Sequence, residues 1–406
     1  MTAQNTAKQE KHVLITNLWI SNYAGSELNC LNLATALSDM GYSVEVAVLE
    51  AGAPILNDFI AANIPVKQIL TDELSHTHYD LIWAHHSIVI DYLLFKKKIS
   101  ADRLILSGLS PFHPFEVLPA YANDASLCLA NSEETKAQLV KEGVAAENIL
   151  VFPNYVDATW LHCSKRRLPK LRPERIAIVS NHVPEELYHA AQQLRAKGCT
   201  VDIYGLHHTF VKITPEILNT YDLIVTIGKT VQFSFALQIP VYCYDIHGGP
   251  GYIAKEDLQT AAYYNFSGRG FSKKTADQIT QEILTKYAMQ HKNLSQYRDY
   301  ILQTSILERN IKNVLSLVES AHINCDEIRR KHYRTERSNG ALLEMYAYRK
   351  HALELEIALE AERKLQQNAD VHALICERDD FSNRLLQIEN SRSWKLISKV
   401  KRIFEK

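Results

Sequence analysis

The sequence has little that would mark a disulfide framework, a metal cluster or a membrane span. Its seven cysteines lie far apart and form no CxxC pair, a pattern typical of proteins in a reducing compartment. No uncharged apolar run approaches the roughly twenty residues that a spanning helix needs. Residues 1–11 are polar and predict a disordered lead without a signal peptide. We therefore expect a cytoplasmic protein with no metal site.

The net charge and the absence of cofactor motifs exclude further classes. A formal net charge of −1 over 406 residues gives no general case for nucleic-acid binding. The sequence contains no GxGxxG, so the fingerprint of nicotinamide and flavin cofactors is absent. Gly228-Lys229-Thr230 resembles the end of a Walker A loop, but Leu223 stands where that motif requires its first glycine. We expect neither a P-loop nor a resident cofactor.

Short β-branched runs alternate with helical segments along most of the chain, which predicts parallel α/β domains. A length of 406 residues favours two such domains and an additional segment. The predicted fold class is α/β, with two Rossmann-like domains followed by a helical C-terminal extension that is a candidate coiled coil. The predicted parts are an N-terminal domain at 12–155, a linker at 156–174, a second domain at 175–292, bridging helices at 293–340, an amphipathic helix at 341–390 and a basic amphipathic tail at 391–406.

The stretch from Tyr221 to Tyr252 carries the strongest candidate for an anion site. A β-branched run ends at Gly228, and Lys229 and Thr230 open the following helix. Free backbone N–H groups and the positive end of a helix suit an anion at such a junction. An ordinary βαβ unit with a chance Lys-Thr pair explains this stretch equally well when it is taken alone. Backbone is expected to approach a ligand closely at the glycines that follow the next strand, Gly248, Gly249 and Gly251.

Candidate site residues of the first half lie where predicted strands end. Gly25 precedes the first helix, where it could let the loop approach a diphosphate with Ser26 and the following amides donating, or could simply start the helix. Ligands of open parallel sheets lie beyond the carboxyl ends of the strands. Each histidine at such an end is more often a hydrogen-bonded loop residue than a catalyst. His85, His86 and His113 all lie at predicted strand ends, and we nevertheless expect some of the three to line a cleft.

Three stretches resemble a known family. The run from Leu127 to Asp157, LCLANSEETKAQLVKEGVAAENILVFPNYVD, resembles the NS…T…L…G…I.V.PNGVD signature of GT-B glycosyltransferases in the large retaining family that uses nucleotide-sugar donors. The opening HVLITN…AGSELNCLNLATALSDMGYSVEVAVL is similar to that family's first strand, glycine loop and helix. The resemblance covers about residues 12–290. Near the C-terminus, SRSWKL resembles an ending found on many bacterial surface-polysaccharide glycosyltransferases.

The resemblance implies an acceptor on the first domain and a nucleotide diphosphate-sugar donor on the second. It implies transfer without a metal, which agrees with the absence of a DxD motif. One histidine among His85, His86 and His113 is expected to position or deprotonate the acceptor hydroxyl. The donor is expected to bind Gly25, Ser26, Glu27, Asn181, Gly228, Lys229, Thr230, His247, Gly248, Gly249 and Arg269.

The sequence departs from that family at two places. The usual Glu-x7-Glu pair is missing, because residues 228–240 contain no acid and Phe233 stands where the second glutamate would be. The usual Arg…Lys pair early in the second domain is also missing, so Lys229 and Arg269 would have to supply the positive charge. These departures leave retention or inversion open and raise an alternative, a catalytically silent scaffold or partner subunit. A nucleotide-sugar epimerase on the same fold would not explain the basic tail.

The tail at 391–406 predicts a membrane contact. Lysines and arginines there alternate with large apolar side chains, which suits a helix lying on an anionic membrane surface. A solvated helix that docks on its own protein is the alternative interpretation. We expect a peripheral protein of the inner membrane face with a glycan or lipid-linked acceptor, and the helical tail offers a route to a homo-oligomer.

Overall fold

The computed structural model describes residues 10–164, 170–206, 208–333 and 370–391. It also describes Leu343, Met345, Tyr346, Lys350, Glu354, Leu355, Ala358, Leu359 and Trp394. Most of the predicted lead, the charged run at 165–167, part of the predicted amphipathic helix and most of the basic tail lie outside the described residues.

The first domain is built on a seven-stranded parallel sheet in the order β3-β2-β1-β5-β7-β8-β9. Within it, Ile15 lies opposite Val46 on one neighbouring strand and Trp83 on the other. Both faces of the sheet are covered by apolar layers, which explains why its strands are almost continuously apolar. The strands are β1 (His12–Ile20), β2 (Ser43–Ala51), β3 (Val66–Gln68), β5 (Leu81–His85), β7 (Leu104–Gly108), β8 (Leu127–Ala130) and β9 (Ile149–Val151), and a separate short pair is formed by β4 (His78–Tyr79) and β6 (Ser100–Ala101).

Four helices of the first domain follow its strands: α1 (Gly25–Asp39), α2 (Ile55–Ala61), α3 (Ser87–Asp91) and α4 (Glu133–Lys141). β1 continues to Ile20, and α1 begins at Gly25 after a short loop. The Ser132 hydroxyl accepts a hydrogen bond from the Thr135 amide at 3.1 Å and caps α4. The loops that connect strand ends to helix starts are therefore short and well anchored.

The second domain has a five-stranded sheet in the order β11-β10-β12-β13-β14. The first four strands are parallel, and the last pairs antiparallel with its neighbour. The two α/β domains confirm the predicted fold class. The strands are β10 (Arg175–Val179), β11 (Thr200–Tyr204), β12 (Leu223–Thr226), β13 (Val241–Asp245) and β14 (Gly248–Tyr252), and the helices are α6 (Glu185–Ala196), α7 (Pro215–Leu218), α8 (Lys229–Ala236), α9 (Leu258–Tyr263) and α10 (Ala276–Gln290).

The chain crosses between the domains twice. After the first crossing, Val156 and the short helix α5 (Ala158–His162) pack into the core of the second domain, so the beginning of the predicted linker belongs to that core. Helix α11 (Leu294–Thr304) packs on the same core. Helix α12 (Leu307–Leu317) then returns the chain to the first domain, where it packs in the layer that contains α1.

Beyond α12, a helical stretch at 325–333 also packs on the first domain, with Ile328 inside its core. The last described helix, Asp370–Asn390, is 21 residues long. None of the helices in the described part of the chain combines the length and the apolar character that a bilayer crossing requires. A coiled-coil arrangement of the extension stays a prediction.

Candidate functional site

A cleft of about 640 Å³ lies between the two domains, at the carboxyl ends of the first-domain strands. Its position is the one that open parallel sheets use for ligands. Most of the residues that line it are polar, and both domains contribute. The residues that line it are Trp19, Ser21, Asn22, Ala24, Gly25, Ser26, Glu27, Asn29, Glu50, His86, Leu109, Ser110, His113, Glu116, Asn131 and Asn154 from the first domain, with Lys229 and Asn265 from the second.

Two helices begin at this cleft. α1 starts at Gly25 in the first domain, and α8 starts at Lys229 in the second. A Cβ added at Gly25 would meet nothing within 4 Å, so the backbone there is open toward the cleft. The N-terminal end of each helix carries positive partial charge and unpaired N–H groups. The cleft is therefore suited to an anion held between the two domains.

The side chain of Lys229 supplies a positive charge where α8 begins at the cleft. Its ammonium donates a hydrogen bond to Asn29 Oδ1 at 2.6 Å and lies 4.4 Å from the centre of the Tyr155 ring. Burial lowers the pKa of Lys229 to about 7. Asn29 is a neutral amide, so its hydrogen bond solvates the ammonium without forming an ion pair, and Asp157 is the carboxylate whose charge favours the protonated form. An anionic ligand in the cleft would add a directly paired negative charge.

Glu27 lies in the cleft wall, but the structure engages its carboxylate within the protein. Oε1 accepts hydrogen bonds from the amides of Ser21 and Asn22 at 2.8 and 3.1 Å, and Oε2 accepts one from the Ala24 amide at 3.1 Å. Glu27 therefore shapes the loop before α1, and its expected role in binding the donor stays a prediction.

His86 and Glu116 form a buried pair at the other side of the cleft. His86 Nε2 lies 3.1 Å from Glu116 Oε1, and His86 Nδ1 accepts a hydrogen bond from the Leu18 amide at 3.0 Å. The acceptor role of Nδ1 places the proton on Nε2, which donates to the carboxylate. Burial works to raise the pKa of Glu116, but hydrogen bonds from His86 and from the Leu109 amide outweigh it, and the pKa lies below its usual value. The carboxylate therefore stays ionised.

The backbone of His86 is strained in a way that supports a site. Its φ is +60°, a region that non-glycine residues rarely adopt. The hydrogen bonds at both ring nitrogens hold the side chain in place against that cost. Such strain concentrates at functional sites.

His85 and His113 differ sharply from His86. His85 is buried, and no hydrogen-bond partner is found for its Nδ1 among the described residues. Burial, together with the neighbouring His86, lowers the pKa of His85 to about 3, so the ring is neutral. It lines a small cavity of about 20 Å³ that shares Asn29, Leu109, Asn131 and Asn154 with the lining of the cleft, so its expected role at the acceptor stays a prediction. His113 is exposed at the cleft, and its Nδ1 accepts from the Phe115 amide at 3.4 Å.

Arg269 is engaged elsewhere. Its guanidinium makes a two-pronged ion pair with Glu134, with Nε–Oε1 at 3.0 Å and Nη2–Oε2 at 2.5 Å. The two side chains come from different domains and are 23% and 12% exposed. The expected binding of a diphosphate by Arg269 is therefore corrected, because this arginine joins the two domains.

The glycines after β13 also have an internal role. A Cβ at Gly249 would lie 2.0 Å from the Cys243 carbonyl oxygen, and one at Gly248 would lie 2.8 Å from the Ser272 carbonyl oxygen. The close approach is thus to the protein's own backbone, in the antiparallel strand β14. This corrects the expected ligand turn at Gly248 and Gly249. The exposed His247 lies in the connection before that strand and does not line the cleft.

The remaining predicted donor residues do not line the cleft. Gly228 has φ +61° and its amide donates to the Phe266 carbonyl at 2.9 Å, which sets the start of α8. Thr230 follows Lys229 in that first turn. Asn181 Oδ1 accepts from the Leu206 amide at 3.0 Å and so supports the loop after β11. Their roles toward a donor stay predictions.

The sequence analysis did not identify several residues that line the cleft. Asn29 would have been found as a polar position on the buried face of α1, and Glu116 as the acid in the histidine-rich loop. Asn154 and Asn265 hydrogen-bond each other at 2.9 Å across the domains, and they lie 111 positions apart in sequence. A contact over that separation leaves no local sequence signal.

Phe233 occupies the position where the resembled family has a glutamate. Its ring stacks on Trp160 at 3.7 Å with an interplanar angle of 3°. It is therefore part of the apolar core that joins α5 to α8. The site is built without a carboxylate from this helix.

Solved structures share this architecture at low sequence identity. HepE of Anabaena in complex with UDP-glucose is 16% identical, with a TM-score of 0.54, over 77% of this chain and 100% of that chain. A glycosyltransferase from Rickettsia africae ESF-5 is 11% identical, with a TM-score of 0.50, over 77% of this chain and 99% of that chain. No protein-family model and no curated protein sequence matches the chain. The chain has the two-domain GT-B fold.

Proposed function

We propose that this protein is a glycosyltransferase that moves a sugar from a nucleotide diphosphate-sugar to a glycan or lipid-linked glycan. The observation that carries the proposal is Lys229. Its ammonium is partly buried at the start of α8, faces the interdomain cleft and is hydrogen-bonded to a neutral amide. A diphosphate bound there would neutralise it and would also meet the positive end of the helix.

The first domain supports the same ligand from the opposite side. Gly25 and Ser26 open α1 at the cleft, and nothing crowds Gly25. HepE, which shares the fold, was crystallised with UDP-glucose. UDP is therefore the first nucleotide to test, and the cleft volume of about 640 Å³ lies within the usual range for small-molecule sites.

The proposed mechanism is electrostatic. As the bond to the sugar breaks, negative charge grows on the leaving diphosphate, and Lys229 with the helix-terminal amides would stabilise it without a metal. The His86–Glu116 pair lies across the same cleft and would orient the acceptor hydroxyl. Both nitrogens of His86 already have partners, so proton abstraction by His86 would require one of these contacts to open.

A catalytically silent scaffold is the second candidate. Phe233 in place of an acid and the use of Arg269 as a link between the domains favour it. A silent protein could still bind nucleotide through Lys229. Turnover, and not binding, separates the two candidates.

The experiment that separates them measures release of nucleoside diphosphate from UDP-, GDP- and dTDP-sugars, with a bacterial membrane extract as the source of acceptor. Release by the wild-type protein that is abolished in Lys229→Met supports the enzyme. Saturable nucleotide binding without release above buffer supports the scaffold.

We further propose that the protein acts at the inner membrane face, in surface-polysaccharide synthesis, through its basic tail. The supporting feature is the sequence 391–406, which alternates lysine and arginine with large apolar residues. Deleting these residues should abolish binding to anionic vesicles and leave nucleotide affinity unchanged. Equal vesicle binding by the truncated protein rejects the membrane role.

A further inference from the structure

The C-terminal extension reaches the wall of the cleft. Leu343 is fully buried in the core of the first domain, and Tyr346 packs against the same apolar cluster. These two residues fix this part of the extension to the first domain. The extension is therefore close enough to contribute to the site.

Two polar side chains of the extension contact the carboxylate of Glu50, which lines the cleft. The Tyr346 hydroxyl donates to Glu50 Oε2 at 2.7 Å, and Lys350 Nζ lies 3.0 Å from Glu50 Oε1. Burial works to raise the pKa of Glu50, but the contacts with Tyr346 and Lys350 outweigh it and the pKa lies below its usual value. Glu50 is thus held as an ionised acceptor of hydrogen bonds.

Trp19 belongs to the same arrangement. Its ring packs edge-on against Phe115 at 5.7 Å, and Trp19 packs on the same apolar cluster as Tyr346. Trp19 and Glu50 both line the cleft on the side of the first domain. An aromatic ring held in a fixed orientation therefore lies in the same wall as an ionised carboxylate.

An ionised carboxylate beside an aromatic ring favours a particular class of ligand. Each oxygen of the Glu50 carboxylate keeps a lone pair that can accept a hydrogen bond from a hydroxyl of the ligand. Another hydroxyl of the ligand can accept a hydrogen bond from the ammonium of Lys350. An indole ring offers a flat apolar face with little conformational entropy to lose. A sugar ring presents hydroxyl donors at its edge and C–H groups on its face, so it matches both parts.

We propose that the C-terminal extension completes a saccharide subsite at Trp19 and Glu50, in which Tyr346 and Lys350 are positioning residues. The subsite rests on the proposed function, because it is the place for the acceptor glycan opposite the nucleotide. It also gives the extension a role in choosing the acceptor.

The test uses the full-length protein with Tyr346→Phe, Glu50→Gln and a control, Tyr333→Phe, in which the altered tyrosine is exposed. A printed array of bacterial oligosaccharides measures glycan binding, calorimetry measures UDP affinity, and the unfolding temperature checks the fold. We expect about tenfold weaker glycan binding in Tyr346→Phe and Glu50→Gln, from the loss of a charge-assisted hydrogen bond. UDP affinity and the unfolding temperature should match the wild type, and Tyr333→Phe should bind glycan normally.

Unchanged glycan binding in both cleft variants overturns the subsite, and so does a wild-type protein that binds UDP but no saccharide. A wild-type protein that binds a saccharide through Tyr346 and Glu50 but no nucleotide keeps the subsite and removes the proposed function.

Discussion

Lys229 and Asn29 are hydrogen-bonded at 2.6 Å although they belong to different domains and lie 200 positions apart in sequence. Each side chain comes from the first half of a helix whose N-terminus faces the cleft. The contact therefore brings the ammonium to the junction where both helix ends would meet an anion.

Burial of Lys229 should make stability depend on pH. A lysine in the unfolded chain titrates near pH 10.4, whereas the pKa in the folded protein is lowered to about 7. The cost of burying the charge is therefore absent above about pH 10, grows as pH falls toward 7 and is fully present below it. Lys229→Met should stabilise the unliganded protein more at pH 6 than at pH 9.5. Denaturant unfolding at both values measures this, with the exposed Lys197→Met as control, and an equal change at both values contradicts a lowered pKa.

Replacing Glu116 by glutamine tests the buried histidine pair. The lowered pKa of Glu116 means that its ionised form stabilises the fold above its usual value of 4.5 and that this contribution is lost as pH falls through the lower folded value. Glu116→Gln should cost on the order of 1–3 kcal/mol near neutral pH, and the difference from wild type should shrink below about pH 4.5. Chemical denaturation across pH measures it. A difference that grows in acid rejects the assignment of the ionised pair.

Arg269 and Glu134 should behave as one link between the domains. Glu134→Gln and Arg269→Met should each weaken nucleotide binding by a similar small factor, because both loosen the same interdomain contact. A double-mutant cycle should give a coupling of about 1–2 kcal/mol in the free energy of unfolding. If Arg269 bound the diphosphate itself, Arg269→Met would lose far more affinity than Glu134→Gln.

Two glycine-to-alanine substitutions distinguish a glycine that faces the cleft from one that packs within the sheet. Gly25→Ala places a methyl group in open space, so stability should be kept while nucleotide affinity falls about tenfold. Gly249→Ala drives a methyl group into the Cys243 carbonyl and should destabilise the protein by about 1–3 kcal/mol. Unfolding and calorimetry on both variants measure this contrast. Unchanged affinity in Gly25→Ala removes the loop before α1 from the site.

The sequence predicted the α/β fold because short apolar strands and capped helices are local features. The Leu127–Asp157 run indicated the GT-B fold that the solved structures share. The sequence predicted that His86, His113 and Lys229 follow the ends of strands, and in the structure all three line one cleft. Local features could not distinguish His85 from His86, since neighbouring residues at the end of a strand point to opposite sides.

The misassigned residues share a physical cause. Arg269 is basic and lies in a glycine-rich turn, but its partner Glu134 is 135 positions away. Gly248 and Gly249 resemble a ligand turn until the antiparallel pairing with β13 is known. Both depend on long-range packing, which no local pattern records.

The most direct test of the central claim is calorimetric titration of the wild-type protein and Lys229→Met with UDP, GDP, dTDP and CMP, with and without a divalent metal. Lys197→Met is the matched control. The account predicts saturable, metal-independent binding of one nucleotide by wild type and control, weakened at least about tenfold in Lys229→Met. Failure of the wild type to bind any of them, or equal binding by Lys229→Met, contradicts it.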